Sequence, residues 1–284
     1  MLKTNRERLP IISVQGQVSH PTFGDRPIID TEGRVHYLVR VGGITYNAKL
    51  GDPCCGWVGD HVEPGVSSKH PDEKMNKAYH LLTCVGNEAK VISGDAKGSK
   101  GFVIGKHGGI DDVMIHFDDA ALEKMAPEDK ILVKAQGQGL ALLDYPDIVL
   151  RSTSPALLDK MNIVEEDGVL KVGVAKCAPA KVMGSGLGSM PSAEGDYDIT
   201  LFDQAVTKEY GLDELRFGDI VAILDADTRF GRTYQGGAVT IGVVVHSDCL
   251  APGHGPGVTT LMSALGGKIV PVVDPKANLK DFFL

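Results

Sequence analysis

Glycine constrains this chain more than any other feature. It supplies 35 of the 284 residues, against about 7% in an ordinary globular protein. The glycines follow no collagen-like period and are not mixed into serine or glutamine tracts. They therefore belong in the turns of a folded protein, where the backbone needs dihedral angles that other residues avoid. They gather at residues 51–65, 98–109, 184–195 and 231–257, and each stretch lies within or beside a polar loop. With 43% apolar and 23% charged residues, the chain can bury a core and is not a disordered one. Its length suits one large domain or two interleaved ones.

Charge and cysteine narrow the function classes. The net charge of −8 argues against nucleic acid, which calls for a basic footprint. The N-terminal residues Met1–Arg8 are polar, and no apolar run suits a leader. The longest apolar stretches, such as Ile241–Val245, fall far short of the ~20 residues that span a bilayer. No membrane partner and a cytoplasmic location are expected. The five cysteines are odd in number and contain no C-x-x-C, so neither a disulfide framework nor a zinc ribbon is indicated. The vicinal pair Cys54–Cys55 reads as two small buried apolar residues.

Short β-like segments dominate. Val35–Val41 and Ile44–Leu50, joined by Gly42-Gly43, predict a hairpin. Lys90–Ser93 and Phe102–Gly105 predict another. Further strands are expected at Ile11–Val18, Val113–Phe117, Ile131–Ala135, Ile148–Arg151, Val169–Ala175, Ile220–Leu224, Val239–His246 and Lys268–Val273. Helices are fewer. Pro71–Val85 carries Met75, Ala78, Tyr79, Leu82 and Val85 at helical spacing, with Gly86 as its stop. Asp118–Met125, Ser154–Met161 and Asp203–Tyr210 each open on an N-capping residue. Two polar turns feed strands in the same way, Ala126-Pro-Glu-Asp before Ile131 and Arg216-Phe-Gly-Asp before Ile220. Such turns recur in six-stranded barrels of the RIFT or double-psi type. The fold class expected is therefore α+β and β-rich. Residues 1–175 would form a RIFT-type, double-psi-like barrel with an N-terminal extension, and residues 176–284 a second α+β subdomain. The boundary is expected within residues 176–192, at Lys176-Cys-Ala-Pro-Ala180 and the loop Gly184–Pro191.

Several motifs are missing. Gly101–Lys106 is one residue short of a phosphate-binding loop, and there is no H-E-x-x-H and no G-x-S-x-G. Three polar clusters remain. In the first, Asp60, His61 and Glu63 lie in a loop before the clearest helix. If the backbone is extended, His61 and Glu63 share a side, which suits catalytic acid–base work. In the second, an apolar strand runs into His246, Ser247, Asp248 and Cys249, and a glycine-rich turn brings up His254. His246, Asp248 and His254 would suit Zn²⁺, Mn²⁺ or Fe²⁺. In the third, Lys106 and His107 occupy a glycine-flanked turn, and with Arg232 they are candidates for holding a substrate anion.

The motifs Gly59–Ser67, Gly105–Gly109, Met183–Gly188, Val245–Cys249 and Gly253–Gly257 together resemble a bacterial family of about this length, known as a domain of unknown function. That resemblance covers nearly the whole chain and implies an N-terminal RIFT-type barrel. It supplies no reaction and no catalytic residues. The chain is also similar, more faintly, to acetamidase/formamidase-type amidohydrolases, without matching motifs. The expectation from the residues is a metal-dependent hydrolase of a small polar amide, imide or lactone. Asp60, His61 and Glu63 would be catalytic, and Lys106, His107 and Arg232 would bind a small-molecule ligand. The alternatives are a non-catalytic anion-binding module and a structural protein, and in each case a homo-oligomer is expected. Convergence of His61, His107, His246 and His254 in one cleft would favour the enzyme.

Overall fold

Apolar residues at period two sort this chain into sheets that bury one or both faces. A computed structural model describes residues 2–23, 27–190 and 192–284. Met1 and Pro191, both named above, lie outside them. Along Lys100–His107, Val103 joins an inner core with Val18, Val113, Ile131 and Val133. Its neighbour Ile104 points the other way, into a second core with Met114, Ile241 and Val243.

Those inner residues fill a barrel of six strands. Its order is Ile12–Val18, Lys130–Ala135, Glu88–Val91, Lys100–His107, Asp112–His116 and Gly65–Lys69. The last pairs back onto the first, through Gln17 with Lys69 and Val18 with Ser68. Every pair around the ring is antiparallel. The closed barrel anticipated above is therefore present. The helix Glu73–Leu82 packs Tyr79 into the barrel core, and the Tyr79 hydroxyl lies 2.8 Å from Ser68 Oγ.

A second sheet runs Val149–Leu150, Gly257–Ala264, Thr233–Val244, Ile220–Asp227 and Lys176–Pro179. The two-residue strand Tyr197–Asp198 also pairs with Gly257–Ala264. Residues of Ile220–Asp227 alternate between two cores. Ile220 and Ala222 face the barrel side, while Val221 and Ile223 face Tyr197, Ile199 and Phe217. A third sheet joins Ile163–Glu166 and Val169–Val174 to Ile269–Val273. Residues 149–174, read above as barrel, thus pair with C-terminal strands. The two halves share a core and a seam, and the site described below lies on that seam.

Local signals held where capping chemistry was strong. Asp72, Asp118, Ser154 and Asp203 each accept a backbone N–H at a helix start. The first helix stops at Thr83 rather than near Gly86: Thr83 still donates its N–H and hydroxyl to the Tyr79 carbonyl, but its own backbone turns extended (φ −69°, ψ 131°). Its buried face is Asn76, Tyr79 and His80, with Met75 exposed. The Gly42-Gly43 hairpin does not form. Val35–His36 pairs with Ile28–Ile29, and Ile44–Thr45 pairs with Gly65–Val66. At Gly42, with φ +88°, a side chain would meet the His20 carbonyl at 2.5 Å. These glycines serve a close approach instead of a turn. The strand Gly257–Ala264 was not anticipated. All eight of its residues are buried, so it shows no alternation to read.

Candidate metal centre

His61, His107, His246 and His254 converge. His61 comes from the loop before Gly65–Lys69, and His107 ends the barrel strand Lys100–His107. His246 lies two residues past Thr233–Val244, and His254 sits in the following glycine-rich turn. The rings of His107 and His246 stack at 4.3 Å, and those of His61 and His246 lie 4.8 Å apart. The loop of His61 is clipped to that of His246: Val62 N donates to Ser247 Oγ and Ser247 N to the Val62 carbonyl, both at 2.9 Å. His61 itself holds φ +55°, a strained conformation for a non-glycine residue that aims its ring at the others.

Three of these rings are oriented from behind. His61 Nδ1 lies 2.8 Å from Asp60 Oδ2, His107 Nδ1 2.5 Å from Glu63 Oε1, and His246 Nδ1 2.9 Å from the Ser247 carbonyl. In each case Nδ1 carries the proton and donates it to an oxygen, which leaves Nε2 as a bare acceptor. One ring nitrogen from each of the three lies within 4.8 Å of the other two. The carboxylates are held in turn. Asp60 Oδ1 takes the Cys249 thiol at 2.8 Å and Leu250 N at 3.1 Å. Glu63 Oε2 takes Gly42 N at 2.9 Å and the Ser67 hydroxyl.

Two aspartates that sequence reading missed complete the cluster. His246 Nε2 lies 2.9 Å from Asp196 Oδ2 and 3.4 Å from Asp198 Oδ1. His254 Nδ1 lies 3.0 Å from Asp198 Oδ2. The approach between His246 Nε2 and Asp196 Oδ2 lacks the angles of a hydrogen bond, and both atoms are buried with no hydrogen-bond partner. Two buried lone-pair atoms facing each other in this way fit a shared cation. Gly257 makes the room, since a Cβ there would stand 2.0 Å from Asp196 Oδ2 and 2.2 Å from His246 Nε2. The signal in the sequence was Asp196-Tyr-Asp198, two carboxylates at a spacing that puts both on one side of a strand.

The charges agree. Burial lowers the His61 pKa and so favours the neutral, ligating imidazole. Burial opposes charge on Asp60, yet hydrogen bonds from His61 and Cys249 hold its carboxyl below the usual range. Asp196 is likewise desolvated and is held low by His246 and His107. Burial also opposes charge on His246, but Asp196 and Asp198 outweigh it and push that pKa up. The two carboxylates demand a cation at His246 Nε2, whether proton or metal ion.

Other candidates take different places. Asp60 and Glu63 stand behind imidazoles and orient them instead of facing substrate. The Asp248 carboxylate accepts from Gly56 N at 3.1 Å, outside every cluster above. The expected strand ends at Val244, so His246 and Asp248 never share an extended face. Lys106 lies within its strand, fully buried, and its Nζ donates to the Leu81 and Ala193 carbonyls. It does not reach a ligand. Burial pulls its pKa down to about 8. Arg232 does reach the site: it lines a cavity of about 420 Å³ together with His61, His107, Asp198, His254 and Glu194. It is 3% exposed, donates to the Glu194 carbonyl at 2.7 Å and has no partner at Nε.

Fold and site together define a β-barrel protein with a candidate metal centre at the seam between the barrel and a second sheet. The chain belongs to the DUF4438 family. Residues 28–159 match its N-terminal model and 160–283 its C-terminal one, both described as a domain of unknown function. A solved structure entitled "Crystal structure of TM1086" is similar over 100% of this chain and 99% of that one, with 46% identity and a TM-score of 0.95. No curated protein matches the chain. Nothing in these matches points to acetamidases or formamidases. Among the described residues, no helix is long and apolar enough to cross a membrane.

Proposed function

We propose that the protein is a divalent-metal-dependent hydrolase of a small polar amide, imide or lactone. One observation carries this reading: three buried histidines, each with Nδ1 donating to an oxygen, turn bare Nε2 atoms toward one another and toward Asp196 and Asp198. Neutral imidazoles and carboxylates with an open cavity beside them suit Zn²⁺, Mn²⁺ or Fe²⁺. When bound, such an ion supplies Lewis acidity and a nucleophilic water near neutral pH.

The chain's own residues do the remaining work. The cavity of about 420 Å³ limits the substrate to a small molecule. Arg232, a buried cation with no carboxylate bonded to it among the described residues, holds an anionic group of that molecule. Glu194, on the same wall and outside the histidine cluster, takes and returns the proton. Asp60 and Glu63 fix the imidazole tautomers.

The test is to strip the purified protein with a chelator, reload it with Zn²⁺ or Mn²⁺ and measure bound metal by mass spectrometry. Tight binding is expected, with at least a hundredfold loss in His107→Ala and His246→Ala. Failure to bind any divalent ion, or wild-type affinity in both variants, overturns the reading. A thermal-shift panel of small carboxylated amides and lactones, with and without metal, then identifies the substrate class. Arg232→Gln should weaken the ligand found by about 10–100-fold, the worth of one charged hydrogen bond.

A further inference from the structure

Asp198 turns its two oxygens to two different sets of ligands. Oδ1 faces His246 Nε2 at 3.4 Å, and that nitrogen is itself 2.9 Å from Asp196 Oδ2. Oδ2 faces His254 Nδ1 at 3.0 Å and His61 Nε2 at 3.8 Å, and those two nitrogens are 3.2 Å apart. With metal–ligand bonds of about 2.0–2.2 Å, the donors of one ion stand roughly 3 Å from each other. Each set has that spacing. His254 groups with His61 and Cys249, whereas His107 and His246 group with His61. Among the described residues, no group that could hold one ion contains both His254 and Asp196.

We propose that the centre is dinuclear, with Asp198 bridging two divalent ions. This rests on the metal-centre reading above. One ion takes His246 Nε2, Asp196 Oδ2 and Asp198 Oδ1, which form one group, with His107, grouped with His246, beside it. The other takes His61 Nε2, His254 Nδ1 and Asp198 Oδ2. Cys249 is left out of both sets, because its thiol is committed to Asp60 Oδ1 at 2.8 Å. The first set is wholly buried. The second includes His254, whose side chain is 37% exposed, so the second ion exchanges faster. Two dications balance the four carboxylates gathered there, Asp196, Asp198, Asp60 and Glu63. The cation left over is Arg232 on the wall, which suits an anionic group on the molecule that enters. When bound, two such ions would supply Lewis acidity at the scissile carbonyl as well as an activated water.

Metal content at saturation decides the matter. Stripped protein reloaded with Mn²⁺ should bind two ions per chain in two steps of different affinity, and its low-temperature paramagnetic resonance should show two exchange-coupled ions. His254→Ala, altering a half-exposed residue, should bind one ion and keep the tight step. Asp198→Asn should weaken both steps at least tenfold while melting as a folded protein. One ion per chain in the wild type overturns the dinuclear centre and leaves the metal-centre reading standing, whereas none overturns both. Two ions retained by His254→Ala also overturn the assignment made here.

Discussion

At the scale of single residues, the site depends on what stands behind the histidines. Asp60 and Glu63 touch only the Nδ1 side of their rings, so their loss should loosen the metal without removing a ligand. Asp60→Asn or Glu63→Gln is expected to weaken Zn²⁺ by about 10–100-fold, read by competition with a chromogenic chelator. Asp112 makes a separate prediction. Burial, with the Glu63 charge adding, raises its pKa from 3.8 to about 8. An acid raised on folding stabilises the fold at low pH and loses that contribution as pH rises toward its folded pKa. Asp112→Asn should therefore gain about 1–3 kcal/mol at pH 8 and nothing at pH 3, measured by urea unfolding at the two pH values. Sequence reading found all four histidines because each lies in or beside a polar, glycine-rich segment. It took Asp248 as the carboxylate ligand, from a strand expected to run on to His246, and did not weigh Asp196 or Asp198; the chain leaves the sheet at Val244. Which carboxylate approaches His246 is decided by Tyr197–Asp198 docking against Gly257–Ala264, a long-range pairing that no local pattern announces.

At the scale of elements, five of the six barrel strands were legible, Glu88–Val91 and Lys130–Ala135 by clear alternation, whereas Gly65–Lys69, buried along nearly its whole length, was not. The central strand of the second sheet, Gly257–Ala264, was not either, because burial on both faces removes the period. Its first residue carries a sharp prediction. In Gly257→Ala the added methyl occupies the space between Asp196 and His246. Metal binding should be abolished while circular dichroism stays native, since both neighbours are side-chain tips that can shift. Gly105 tests the seam itself. A Cβ there meets Val245 Cγ1 at 2.1 Å and Thr259 Oγ1 at 3.2 Å, so barrel and sheet must part slightly. Gly105→Ala should cost about 1–3 kcal/mol of stability, read as a lower melting temperature with or without metal.

At the scale of the whole molecule, the metal ligands come from both halves. His61 and His107 belong to the barrel, and Asp196, Asp198, His246 and His254 to the second sheet and its loops. Ligand binding across a seam stabilises both sides at once. Metal at a thousand times its dissociation constant adds about 4 kcal/mol, so the melting temperature should rise by roughly 8 °C or more, in one transition by calorimetry. Two resolved transitions, only one of them shifted, would contradict this. The ring closure at Gln17–Lys69 and Val18–Ser68 matters beyond the site. A closed ring offers a second chain no row of free amide and carbonyl groups to extend. The second sheet is open, but its outer strand Lys176–Pro179 is four residues long and ends in proline, which cannot donate to a neighbour. The barrel and the second sheet are thus guarded against templated fibre growth, whereas the third sheet keeps an outer strand, Ile269–Val273, with Val270, Val272 and Val273 exposed, and clumping on heating should start from that edge.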